Sequence, residues 1–97
     1  MDDQAGGINY RFMVIAEVAP GLLPRVIQLV AKRGMAPTMF YATQKQTSAG
    51  LDCHLSMEVV GLEPVTAEMI GESIRQIPGI FEVTMTVGKA DLGPCPG

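Results

Sequence analysis

The order in which the hydrophobic period changes along this chain leaves few folds open to it. Apolar residues alternate from Tyr10 to Val18, fall at helical spacing from Leu22 to Arg33, and return to an extended pattern from Ala36 to Gln46. A polar loop, Thr47-Ser48-Ala49-Gly50, leads into alternation from Leu51 to Val59; helical spacing follows from Glu63 to Ile77, and alternation again from Ile80 to Val87. Strand, helix, strand, strand, helix, strand is the order of a split βαβ unit. It predicts an α+β two-layer sandwich, an antiparallel sheet with two helices on one face. A chain of 97 residues has room for one such core and no second. Residues 9–88 are therefore expected to form the domain, with 1–8 a flexible N-terminus and 89–97 a flexible Gly/Pro tail.

Within that order each segment has an expected place. The first strand turns Tyr10, Phe12, Val14, Ala16 and Val18 to one face and the apolar Met13 and Ile15 to the other, as suits the centre of a sheet. Pro37 marks the second strand as an edge, at least where it starts. In the third, Leu51, Cys53, Leu55, Met57 and Val59 face inward and Asp52, His54, Ser56 and Glu58 outward. Phe81, Val83, Met85 and Val87 are the inward residues of the last strand. Helix one places Leu22, Val26, Leu29, Val30 and Arg33 at helical spacing, turns Arg25, Gln28 and Lys32 to water and ends at Gly34; helix two buries Ala67, Ile70, Ile74 and Ile77.

Composition narrows the functions. Seven basic against ten acidic residues give a net charge of -3 with no basic cluster, which argues against nucleic acid and anionic membrane as partners. No apolar run approaches the roughly 18 residues that span a bilayer. The opening Met1-Asp2-Asp3-Gln4-Ala5-Gly6-Gly7 has neither a basic region nor an apolar stretch, so no export signal is read and a cytoplasmic protein is expected. Cys53 and Cys95 are then expected as reduced thiols. Hydrophobic content of 47% is high for so small a domain and points to oligomerisation.

Catalytic chemistry finds little support. His54, the single histidine, shares a strand face with Ser56 and Glu58 at i, i+2 and i+4, but a polar outer face is the norm in antiparallel sheets. Cys53 and His54 are adjacent in a strand and point to opposite faces, so they do not make a metal pair. The sequence contains no P-loop, dinucleotide fingerprint, HExxH or CxxC. No catalytic residue, metal or cofactor of its own is expected. The feature that suggests binding is the turn Ala19-Pro20-Gly21, where glycine removes a side chain beside the N–H groups of a helix N-terminus and lets a ligand carboxylate approach.

The stretch Val14-Ile15-Ala16-Glu17-Val18-Ala19-Pro20-Gly21-Leu22-Leu23-Pro24-Arg25-Val26 through Lys32-Arg33-Gly34 resembles an ACT domain, and the resemblance extends in hydrophobic spacing from Tyr10 to Val87. Within that superfamily it is most similar to the small regulatory subunit of acetolactate (acetohydroxyacid) synthase. The resemblance implies a ferredoxin-like fold, a regulatory and non-catalytic role, and a homodimer that binds an amino acid where the first loop meets a neighbouring subunit. It carries the site onto Val18, Ala19, Pro20, Gly21, Leu22, Leu23 and Ala36. The implied partner is the large, thiamin-diphosphate-dependent catalytic subunit of acetolactate synthase, in branched-chain amino-acid biosynthesis. The alternative is a free-standing homodimeric ACT domain that senses a small ligand, its edge strand from Ala36 to Gln46 pairing with a second copy. Amino-acid-sensing members commonly carry asparagine at the position of Val18, and acetolactate synthase small subunits carry another at that of Ala36. Loss of two such amides weakens a polar ligand by roughly 1 to 3 kcal/mol each and suits an apolar amino acid.

Overall fold

The computed structural model describes residues 8–88. The expected tail 89–97, with Cys95, and residues 1–7 of the expected N-terminal end lie outside the described residues. Six elements follow in the expected order: β1 (Ile8–Glu17), α1 (Leu22–Ala31), β2 (Met39–Thr47), β3 (Gly50–Leu62), α2 (Pro64–Arg75) and β4 (Ile80–Gly88). The four strands form one antiparallel sheet in the order β2-β3-β1-β4. This is the ferredoxin-like arrangement. The strand that is apolar on both faces, β1, lies inside the sheet, and β2 is an edge.

Alternation decides which face the helices cover. Tyr10, Phe12, Val14 and Ala16 of β1 meet Val59, Met57, Leu55 and Cys53 of β3 across the ladder, and all eight are buried. From above, α1 contributes Leu22, Val26 and Val30, and α2 contributes Ala67, Ile70 and Ile74, at the three- and four-residue spacing of an apolar stripe. Phe12 is central. It pairs with Met57 on one side and Met85 on the other, and its ring lies under Gly71 of α2. The opposite face of the sheet is uncovered and carries an ion pair in which Arg11 donates through Nε and Nη2 to Glu58 Oε2, the Nε contact at 3.1 Å.

Several boundaries differ from expectation for local reasons. Helix α1 stops at Ala31, and Arg33, expected within the helical run, is exposed in the turn that closes at Gly34 with φ +77°. Strand β2 starts at Met39 and not Ala36, although Thr38 already donates to the Glu58 carbonyl at 2.8 Å. β3 continues past Val59 to Leu62 because one extra residue is accommodated around Val60 and Gly61. There Ile8 faces Leu62 but Tyr10 faces Val59, and Gly61 takes φ +81°, the conformation a glycine bulge requires. Three residues expected inward are exposed. Leu51 (49%) lies beyond the helical layer, Phe81 (61%) is the extra residue of a bulge opposite Ile15 and Ala16, and Val87 (63%) lies near the far end of an edge strand.

Candidate ligand site at the first strand-to-helix turn

The β2–β3 hairpin turns through Ser48 and Ala49, with Thr47 opposite Gly50. Thr47 Oγ1 accepts from Ala49 N–H at 3.2 Å and donates to the Gly50 carbonyl at 2.9 Å, which fixes the register of everything behind it. Three pairs back, Gln44 faces Cys53, and Cys53 in turn faces Ala16 of β1. These three side chains therefore form one row on the helix-covered face, at the end of the sheet where β1 passes into α1. The helices do not reach over β2 here: Gln44 is exposed, whereas Ala16 and Cys53 are buried.

The gap beneath the turn is a cavity of about 270 Å³, lined by this row and by Glu17, Val18, Ala19, Pro20, Leu22 and Leu23. Five of the seven expected site residues are thus brought together: Val18, Ala19, Pro20, Leu22 and Leu23. Gly21 and Ala36 do not line it. Gly21 instead borders a smaller concavity of about 180 Å³ with Glu17, Ala19, Leu22, Arg25, Ile77 and Pro78. Ala36 lies in the connection before β2, three residues short of the strand. The residues that sequence reasoning missed are Ala16, Glu17, Gln44 and Cys53.

Gly21 also differs from its expected role. Its φ is -92°, open to any residue, and a Cβ built there would meet nothing within 4 Å. Neither backbone conformation nor close packing demands glycine. The helix N-terminus is a weak anion site as well, because Leu22 N–H is already bonded to the Ala19 carbonyl at 3.2 Å and Pro24 has no N–H. Of the first three helical positions, Leu23 alone has a donor to offer. The polar side chains among the lining residues are those of Glu17 and Gln44, in an otherwise apolar lining, and the Glu17 side chain also packs against Gly79.

On the uncovered sheet face, His54 and Ser56 lie with Met13, Ile15, Glu82 and Thr84 around a shallow depression of about 310 Å³. Glu58, the third member of that row, is held by Arg11, so the three do not assemble as acid, base and nucleophile. Among the described residues no group of three His, Cys, Asp or Glu side chains is placed to hold a metal ion. No helix among them is long and apolar enough to cross a membrane. Cys53 is a free, buried thiol.

No family model and no curated protein matches the chain. Solved structures do match in fold. The ACT domain of GTP pyrophosphokinase from Chlorobium tepidum superposes with a TM-score of 0.67 at 10% identity, covering 82% of this chain and 99% of that one. The C-terminal domain of the MgtC protein from Mycobacterium tuberculosis gives 0.68 at 16% identity over 90% and 94% of the two chains. A homoserine dehydrogenase from Thiobacillus denitrificans gives 0.61 at 14% identity; 87% of this chain is covered but 18% of the enzyme. The chain is thus similar in fold to ACT domains.

Proposed function

We propose that this chain is a non-catalytic regulatory domain that takes a small amino acid with an apolar side chain in the cavity between the Val18–Leu23 turn and the Gln44–Cys53–Ala16 row. One observation carries the reading: a pocket of amino-acid size, apolar in most of its walls, with Glu17 and Gln44 as the polar side chains of its lining. The Gln44 amide suits a ligand's carboxylate, and Glu17 gives the lining an acidic character that suits an ammonium group. Val18, where ACT sensors commonly carry asparagine, adds apolar wall in place of a polar contact. The cavity borders the free edge of β2 at Gln44, so a second copy paired along that edge would close it, which supports a homodimer.

The thermal midpoint of the purified chain, measured with each of the twenty amino acids at millimolar concentration, tests this. A ligand at about a hundred times its dissociation constant stabilises by roughly 2.7 kcal/mol, a rise of about 10 °C or more in a domain this size. The rise is expected for one class of apolar amino acids. It is expected to vanish in Val18→Trp, which fills the cavity from an exposed wall position while leaving the midpoint of the free chain in place. No rise with any amino acid would refute the ligand assignment.

The regulated enzyme is a finer proposal and rests on the sequence resemblance from Val14 to Gly34: the thiamin-diphosphate-dependent catalytic subunit of acetolactate synthase. The purified chain is expected to bind that subunit and raise its turnover. Absence of both effects removes this partner and leaves a free-standing homodimeric sensor.

A further inference from the structure

The lining of the cavity under the first strand-to-helix turn changes character with depth. Its two polar side chains, Glu17 and Gln44, belong to exposed residues at the mouth. The buried residues of the lining are Ala16, Leu22 and Cys53, and among them is no carboxylate, amide or cation. An ammonium or carboxylate group keeps its hydration at the mouth and loses it below, at a cost that nothing there offsets. An amino acid in this cavity is therefore held with its charged groups at the mouth and its side chain inward.

What stops such a side chain is the floor. Across the β1–β3 ladder the inward pairs are Tyr10 with Val59, Phe12 with Met57 and Val14 with Leu55, and the pair nearest the turn is Ala16 with Cys53. It is the smallest of them, so the packed layer thins where α1 begins. Interiors close such a gap when a neighbouring side chain can turn into it. Leu22 is committed elsewhere: its Cδ1 lies 2.7 Å from where a Cβ on Gly79 would stand, against the turn between α2 and β4. Gln44, the third member of the row, is exposed and ends in an amide. The depth over Ala16 and Cys53 is thus left open, and the residues that set it carry only a methyl and a thiomethyl group.

We infer, taking the cavity as the amino-acid site proposed above, that Ala16 and Cys53 are its specificity-determining residues. The ligand's aliphatic side chain points inward onto this pair, and the pair sets the longest side chain that the site accepts. Glu17 and Gln44 meet the ammonium and carboxylate groups that all such ligands share, and so contribute no discrimination among them.

Calorimetric titration of the full chain with the unbranched series alanine, aminobutyrate, norvaline, norleucine and aminoheptanoate tests this. In the unaltered chain affinity should rise about fourfold per methylene until the side chain reaches the floor, and fall beyond it. Cys53→Val and Ala16→Val each raise the floor with a residue that suits a strand. Both should move the best-bound member to a shorter one and weaken the longer members about tenfold or more relative to alanine. Cys53→Ala lowers the floor and should move the best-bound member to a longer one. Each comparison is a ratio between two ligands on one protein, which a change in folding stability alone does not move, and the two filling variants lie on different strands in case one fails to fold. The same order and ratios of affinity in every variant would overturn the inference while leaving the amino-acid site in place. Absence of binding by any member of the series to the unaltered chain would also overturn it. If the midpoint scan with the twenty amino acids is flat as well, the site falls with it.

Discussion

Phe12→Ala should lower stability by about 3 to 5 kcal/mol, the range for emptying a fully buried phenylalanine site. Phe12 is 0% exposed, stands on a strand that cannot shift without breaking its ladders to both β3 and β4, and is covered by the backbone of α2 at Gly71. The strands and α2 cannot close the space, and only the flexible side chains of Met57 and Met85 are placed to fill part of it. For a domain whose whole stability is on the order of 5 to 15 kcal/mol, the thermal midpoint should fall by about 15 to 30 °C. Chemical denaturation followed by far-UV circular dichroism measures it. A loss under about 1 kcal/mol would show that the two layers are not packed through this ring.

The second large effect comes from a turn. Gly79→Ala should cost about 3 to 5 kcal/mol, from a backbone conformation that side chains rarely adopt together with overpacking. Gly79 has φ +98°, and a Cβ there would lie 2.7 Å from both Leu22 Cδ1 and Glu17 Oε2. Its carbonyl also accepts from Glu17 N–H at 2.8 Å, so the turn cannot slide away. The methyl group would press on two residues that line the proposed ligand cavity. Leu22→Ala vacates part of that space, so the two substitutions combined should cost less than the sum of each alone by about 1 kcal/mol. Strict additivity in the double-mutant cycle would leave backbone conformation as the whole cause. Amino-acid binding should also weaken in Gly79→Ala, a readout independent of stability.

The element order and the sheet centre were legible because they depend on local period. Tyr10, Phe12, Val14 and Ala16 mark one apolar strand face, with Met13 and Ile15 on the other, and Ala67, Ile70, Ile74 and Ile77 mark one helical stripe whatever they meet. Less legible was where the helical layer ends. Leu51 and Cys53 have the same parity, yet one is exposed and the other buried, because that depends on how far α1 and α2 extend over the sheet. The candidate site was half legible for the same reason. Its turn residues are consecutive, but Gln44 and Cys53 come from other strands. A signal for them did exist: once Thr47 and Gly50 are taken as the ends of a two-residue hairpin, counting outward pairs Gln44 with Cys53. The pairing of Cys53 with Ala16 needs the register of β1 on β3, which no local pattern encodes.

The pairing of β1 with β4 has one more consequence. Asn9 stands opposite Gly88, so the first and last strands of the folded unit meet at a shared threshold, and chain entering the unit runs next to chain leaving it. A body of this kind can hang from a single point on a larger protein, as a bead does from a loop of thread, without prying the host's backbone apart. The homoserine dehydrogenase match, 18% of that chain, is an instance of the same fold carried inside a bigger enzyme.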